Sequence, residues 1–555
     1  MPEGIFRSAF AGLFLPMQHP LTQIAYRRTD RTDLPYDIGR NFYLSGHTMQ
    51  RNAAEPICSD ITMHNSAGIL ARLHSRGIFK TRAFVDGKWI QSANADTLPV
   101  TNPANGETLA ELPNLGPADV ELAISAASAA FIPWRDRLPQ DRSALMERWH
   151  DLVLEHKEAL SQLMVLEQGK SIVDARGEIE YGAGFIKWFA EEAKRVEGAT
   201  FASHKLNKQM LAIRQAIGVV GLVTPWNFPV AMLTRKAAAA LAVGCPIICY
   251  QSMETPLSAL ALAALAEKAG FPAGVFQVLT GKSRVIVKAL CESPTVRALS
   301  FTGSTEVGRK LLEQSAASIK KCSMELGGHA PFIGYPDVPL DELVQAAIDA
   351  KFQTSGQDCL AANRIYIHRD IYEPFLHAFA AAAAALKVGD GFEPGVQICP
   401  LQNRAQVDKA IEHTTDAVGK GARLLTGGRQ PAQGGNYFEP TVLADVTEAM
   451  TICREETFGP VAAVMPFDEE SEVLGRANDT EYGLAAYLWT RDIGRIWRHS
   501  NALEYGMVAV NTVSMTGYPI PFGGVKQSGL GREGSRWGID EYSELKYICM
   551  GNLDK

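Results

Sequence analysis

Between residues 217 and 301, short apolar runs alternate with longer helical ones. The runs 217–223, 247–249, 275–279 and 296–301 read as strands, while 232–242, 257–269 and 284–290 read as helices. Strands that are apolar on both faces need cover on both faces, and helices lying between them in sequence supply it as crossover connections. The alternation therefore predicts an α/β fold with a doubly wound parallel sheet. A second alternation starts near Ala330, with strand 331–334, helix 340–355 and strand 364–367. It predicts a second α/β lobe.

Upstream, Phe84-Val-Asp-Gly-Lys-Trp89 reads as a hairpin turned at Asp86-Gly87, a pair that accepts the backbone of a tight turn. Amphipathic periodicity predicts helices over 117–131, 141–168 and 171–195. Residues 1–75 show no sustained period. Arg7, Arg27, Arg28 and Arg31 suggest a targeting peptide, but Glu3, Asp30, Asp33 and Asp37 spoil the acid-poor composition such peptides need. The expectation is a poorly structured extension, with Met49 or Met63 as candidate starts. At 555 residues the chain has room for two to four domains. Its formal charge of -7 offers no cationic surplus for a phosphate backbone, which argues against nucleic acid as a partner. The longest nearly apolar stretch, 237–250, contains Gly244 and Pro246 and is too short to span a bilayer. Nine cysteines are scattered without a Cys-x-x-Cys pair or zinc spacing, so no metal site is expected and a reduced, cytoplasmic setting is.

The segment Gly529-Leu-Gly-Arg-Glu-Gly534 is a literal G-x-G-x-x-G, yet no strand leads into it and it lies near the C-terminus, so it is rejected as a dinucleotide fingerprint, which needs a strand-to-helix turn. A better candidate is Phe301-Thr-Gly303-Ser304, which leaves a strand and enters a helix. Gly303 permits close backbone approach, and Ser304 with the helix N-terminus offers donors to an anion; an ordinary tight turn is the competing reading. Cys359 follows a glycine-containing turn and is a candidate nucleophile, against the reading of a small buried hydrophobe. Glu325 lies between apolar neighbours beside Gly327-Gly328, which suits a desolvated base; the alternative is an ion-paired or helix-end carboxylate. Asn227 follows a strand in a loop stiffened by Pro225 and Pro229. It suits an oxyanion donor, or else a turn.

The order and spacing of Thr224-Pro-Trp-Asn-Phe-Pro229, Phe301-Thr-Gly-Ser-Thr305, Glu325-Leu-Gly-Gly328, Gly356-Gln-Asp-Cys359, Glu455-Glu-Thr-Phe-Gly-Pro460 and Pro521-Phe-Gly-Gly524 resemble the aldehyde dehydrogenase superfamily from about residue 80 to 552. Within it the chain is most similar to succinate-semialdehyde dehydrogenases, through Ala175-Arg-Gly-Glu-Ile179, Met232-Leu-Thr-Arg-Lys236, Ser528-Gly-Leu-Gly-Arg-Glu-Gly-Ser535 and the tail Gly538–Tyr547. The resemblance implies a Rossmann-type cofactor domain at 76–204 and 222–326, a catalytic domain at 327–530, and a small β flap with the C-terminal strand (205–221 and 537–555) as oligomerisation elements of a homodimer or homotetramer. It implies oxidation of an aldehyde, succinic semialdehyde or a similar carboxylated one, through a thiohemiacetal and a thioester on Cys359. Glu325 would be the base and Asn227 the oxyanion donor. Trp226, Gly303, Ser304, Leu326, Glu456 and Phe458 would line the nicotinamide cofactor site.

Two departures from the family pattern stand out. Tyr250 replaces the usual lysine and Met253 the usual acidic or small residue at the adenosine ribose, which removes both the obvious cation for a 2′-phosphate and the ribose carboxylate. The expectation is NAD, with NADP as the alternative. Of the groups expected around a substrate carboxylate, Arg235 is present, whereas Gln353 stands for a second arginine and Thr516 for a serine. Alternative functions are oxidation of glutarate semialdehyde or an aromatic aldehyde, or a catalytically weakened scaffold of the same fold.

Overall fold

The structure is a computed structural model and describes residues 66–552. Its largest sheet has eight strands in the order Gly529–Leu530, Lys321–Glu325, Val296–Thr302, Val219–Thr224, Ile247–Gln251, Phe276–Leu279, Ala83–Val85 and Lys88–Ile90. The five strands from Lys321–Glu325 to Phe276–Leu279 are parallel. All residues of Val219–Thr224, Ile247–Gln251 and the crossover helix Ala231–Val243 are buried, which is why they read as continuous apolar runs. Chain order runs outward from Val219–Thr224, to Ile247–Gln251 on one side and, later, to Val296–Thr302 on the other. Loops leaving those two neighbouring central strands diverge, and a crevice opens at this switch point.

The second sheet has seven strands, in the order Arg423–Thr426, Thr441–Ala444, Val461–Phe467, Ala362–His368, Ala330–Gly334, Ala485–Trp489 and Met507–Val510; only the first pair is antiparallel. The predicted helix 340–355 ends at Phe352, because Thr354 and Ser355 turn left-handed at φ 48° and 57°. The turn closes tightly: a Cβ on Gly356 would lie 2.3 Å from the Gly459 carbonyl oxygen. This contact sets Cys359 beside the segment that carries Glu456 and Phe458.

Several expectations are corrected. Ser66–Ser75 is a helix with Ile69 and Leu73 buried, so order begins before residue 76; the readings placed on residues 1–65 lie outside the described residues. The predicted helix 141–168 is two helices, Pro139–Glu155 and Lys157–Gln168, broken at His156. Val219–Gly221, assigned to the flap, instead open the buried central strand. The flap strand Lys208–Ala216 pairs antiparallel with Ser543–Gly551 along their whole length, with Leu545 and Tyr547 exposed on it. Gly529–Leu530 forms an edge strand antiparallel to Lys321–Glu325, not a strand-to-helix turn. No helix among the described residues is long and apolar enough to cross a membrane.

Candidate active site

Asn227, Glu325 and Cys359 come from the loops and strand ends of the two sheets and meet in one cavity of about 200 Å³. Trp226, Gly303, Ser304, Leu326, Glu456 and Phe458 line it as well. The cavity shares Pro225, Trp226, Thr302, Gly303 and Ser304 with a cleft of about 880 Å³ over the switch point, where Tyr250 and Met253 lie.

Cys359 is buried, and burial pushes its thiol well above the ordinary value; Glu325, Asp358 and Glu456 add to the rise and Arg235 opposes it. The sulfur is therefore a thiol until attack begins, and a base must take its proton. Glu325 ends the strand Lys321–Glu325 and is buried, and neither carboxylate oxygen has a hydrogen-bond partner in the protein. Burial raises its pKa to about 7, with Arg235 opposing. Such a carboxylate is half ionised near neutrality and free to accept a proton. The Asn227 Nδ2 donates to the Gln357 carbonyl at 3.2 Å, and its Oδ1 is buried without a partner. Gly328 allows the close approach that seals this wall, since a Cβ there would lie 2.2 Å from the Cys359 carbonyl oxygen.

In the larger cleft, Ser304 caps the helix Thr305–Ser315 by accepting the Val307 N–H, and the helix N-terminus faces the opening. Val223, Tyr250, Val287, Phe301 and Leu311 give it an apolar floor. A largely apolar cleft at a switch point, with a helix N-terminus at its opening, fits a dinucleotide. Tyr250 donates its hydroxyl to the Gly281 carbonyl at 3.1 Å, and the Met253 sulfur takes the Gly281 N–H at 3.4 Å. Both departures from the family pattern thus fasten the loop at Gly281. Nearer Cys359, Glu456 accepts the Gly328 N–H at 3.2 Å; burial raises its pKa to about 7, against Lys409 and Lys351. Phe458 is held at φ 56° with its ring edge-on to Trp226, centroids 5.4 Å apart. A bulky residue at that φ is strained, and the surrounding contacts hold it there.

Of the three residues expected around a substrate carboxylate, Arg235 and Thr516 both face Tyr181, and Gln353 lies apart. Arg235 is buried and its Nε pairs with Glu533 Oε2 at 2.5 Å, while Lys236 pairs with the other oxygen. Its guanidinium lies 4.1 Å from the Phe522 ring centroid. Burial is the largest influence and works against its charge, but Glu533, Tyr181, Glu325 and Cys359 together outweigh it and hold the pKa above its ordinary value. The Tyr181 hydroxyl faces both Arg235 and Thr516, which is exposed. Gln353 is exposed on a separate hollow with Phe352 and Val513, because the left-handed turn at Thr354 and Ser355 separates it from Cys359. Tyr181, and not Gln353, accompanies Arg235.

Glu533 was not singled out from sequence, although it sits inside the rejected glycine motif; a carboxylate among glycines and apolar residues was the available signal. It is the shared counter-ion of two buried cations. Glu533→Gln is expected to destabilise the fold by about 3–5 kcal/mol, the usual cost of leaving buried charge unpaired. Urea unfolding checks this, and an unchanged midpoint would refute the shared-anion role.

Comparison with known proteins agrees with this geometry. Residues 89–548 match the aldehyde dehydrogenase family profile. The chain is 50% identical to the 3-sulfolactaldehyde dehydrogenase of Pseudomonas putida over 88% of this chain and 100% of that one. It is 47% identical to the NADP(+) succinate-semialdehyde dehydrogenase of Escherichia coli, over 86% and 100% respectively. The crystal structure of an E. coli NADP dependent enzyme superposes with a TM-score of 0.85 at 47% identity, covering 86% of this chain and 99% of that one. With a cysteine, an unpartnered glutamate and an asparagine amide gathered below a dinucleotide-sized cleft, and with a profile match across both sheets, the chain belongs to the aldehyde dehydrogenase family.

Proposed function

We propose that this aldehyde dehydrogenase oxidises aldehydes bearing an anionic group at their far end, succinic semialdehyde among them, to the corresponding acids. Cys359 Sγ attacks the aldehyde carbon while its proton passes to Glu325, giving a thiohemiacetal. The Asn227 amide and the Cys359 backbone N–H hold the oxyanion, a type of contact whose loss costs ~10²–10³ in rate. Trp226, Glu456 and Phe458 hold the nicotinamide end of the cofactor, and Gly303 and Ser304 its pyrophosphate. When bound, the nicotinamide supplies the hydride acceptor that turns a thiohemiacetal into a thioester. Glu325 then releases the thiol proton to solvent and, ionised again, takes a proton from water as that water attacks the thioester carbon; the same proton passes to the departing Cys359 sulfur, which frees the acid and the Cys359 thiol.

The observation that carries the reading is the pairing of an unpartnered, buried Glu325 with Cys359 in one cavity. The anionic preference rests on Arg235 and Lys236, two buried cations that share one carboxylate, with Tyr181 beside Arg235. Relatives whose names specify sulfolactaldehyde and succinate semialdehyde share such an anionic end. For the cofactor we take NAD over NADP, because Tyr250 puts a hydroxyl bound to Gly281 where a 2′-phosphate needs a cation. Exposed Leu545 and Tyr547 on the C-terminal strand Ser543–Gly551 form the surface through which copies of the chain would pair.

The test is the rise in 340 nm absorbance with succinic, glutaric, aliphatic and aromatic aldehydes, each with NAD and NADP. Succinic semialdehyde is expected to exceed a neutral aldehyde of equal length by ~10-fold or more in kcat/KM, the worth of one charge-assisted contact. Equal values for charged and neutral aldehydes would remove the anionic preference, and faster turnover with NADP would reverse the cofactor assignment.

A further inference from the structure

The loop that carries Asn227 cannot be pinned by its own amides at Pro225 or Pro229, which have no N–H. Besides the Gln251 amide on the Pro225 carbonyl, a buried ion pair holds it from outside. Lys170 Nζ lies 2.5 Å from Glu178 Oε2, and both side chains are 1% exposed. Lys170 also donates to the backbone carbonyl of Asn227 at 2.8 Å and sits 4.1 Å from the Phe228 ring centroid. The second oxygen of Glu178 accepts the N–H groups of Val230 and Ala231, at 2.8 and 3.1 Å. Those are the first amides of the helix Ala231–Val243, whose N-cap, Val230, has no side-chain oxygen to offer.

The two members of the pair therefore hold the chain on either side of Pro229, Lys170 before it and Glu178 after it. Lys170 is itself fixed: its N–H donates to Gln168 Oε1 at 3.0 Å, and its carbonyl packs so closely on Gly391 that a Cβ there would come within 2.2 Å. A charge-assisted hydrogen bond onto a backbone carbonyl sets the peptide plane, and the peptide plane sets where the side chain of that residue points. Neither Lys170 nor Glu178 lines the Cys359 cavity, so neither touches the reacting atoms.

We infer that Lys170 and Glu178 are positioning residues for the oxyanion contact: their ion pair orients the Asn227 amide toward the carbonyl oxygen of the substrate bound at Cys359. The inference rests on the oxyanion role of Asn227 given above. Glu178 lies in Ala175-Arg-Gly-Glu-Ile179, a segment that otherwise marked only similarity.

A mutant cycle on the full-length enzyme tests it, read as the single-turnover rate of NADH formation with saturating NAD and succinic semialdehyde. Asn227→Ala is expected to slow that step ~10²–10³-fold, and Lys170→Met to slow it ~10²-fold with the KM for NAD unchanged. The double variant is expected to be no slower than Asn227→Ala, because Lys170 acts only through that amide. If the two losses multiply instead, Lys170 has only a general structural role and the inference falls. A full rate in Asn227→Ala alone overturns the oxyanion reading itself, so the two failures are distinguishable. If Lys170→Met does not fold, the charge-balanced pair Lys170→Met/Glu178→Gln replaces it, since glutamine keeps an oxygen for Val230 and Ala231. The same non-additivity with Asn227→Ala is then expected, and multiplying losses again overturn the inference.

Discussion

Cys359→Ala is expected to bind NAD as the parent does and to form no aldehyde-dependent NADH, a fall of at least ~10⁴-fold in kcat. Among the described residues Cys359 is the only cysteine lining the cavity. Cys245, Cys249, Cys291, Cys399 and Cys453 are buried away from it, so none can substitute. Cys359→Ser should be nearly as inactive, because a hydroxyl is harder to ionise than a thiol and this wall already opposes negative charge through Glu325, Asp358 and Glu456. Single-turnover absorbance at 340 nm checks turnover, and quenching of tryptophan fluorescence by NAD checks that the cleft survives. Turnover within tenfold of the parent in the alanine variant would refute Cys359 as the nucleophile.

What could be read from sequence follows from what local chemistry decides. Apolar runs with helices between them foretold the parallel sheet, since strands buried on both faces have no polar alternation to hide. The apolar run 247–249 stops short of the strand's end because Tyr250 and Gln251 look polar. In the fold their polar atoms are satisfied by the Gly281 carbonyl and by Thr224, Pro225 and Thr255, so both residues stay in the buried strand. Ser66–Ser75 is not legible in the sequence because ten residues with two anchors, Ile69 and Leu73, carry too little periodicity to stand out. Cys359, Glu325 and Asn227 are each ambiguous alone and become legible only through the order and spacing of the glycine- and proline-containing segments that carry them. Gln353 was misplaced for a local reason invisible in composition: Thr354 and Ser355 adopt positive φ, uncommon for either residue and least favourable for the β-branched threonine. Glu533 was missed for a global reason, since its pairing with Arg235 and Lys236 depends on the C-terminal segment returning as an edge strand of the first sheet.

Glu325→Gln is expected to lower steady-state turnover ~10²–10⁴-fold and to change its pH dependence. In the parent, turnover should rise with pH through an inflection near 7, because the raised pKa of Glu325 leaves it protonated, and useless as a base, below that value. The variant should lack that inflection. Glu456 is also raised to about 7, so a parallel Glu456→Gln variant is needed; it should keep the inflection while weakening the hold on the cofactor. The two roles of Glu325 separate at high pH. Removing its charge also removes the largest nearby repulsion on the Cys359 thiolate, so the thiol of the variant ionises more readily than in the parent. Each pH unit below the thiol pKa then adds ~10-fold more thiolate, and a burst of NADH equal to one enzyme equivalent should reappear as pH is raised toward 9.5. Thioester hydrolysis still lacks its base, so the steady state after the burst should stay slow. A variant whose burst and steady state recover together would show that water needs no base from Glu325, leaving it a role in taking the thiol proton alone.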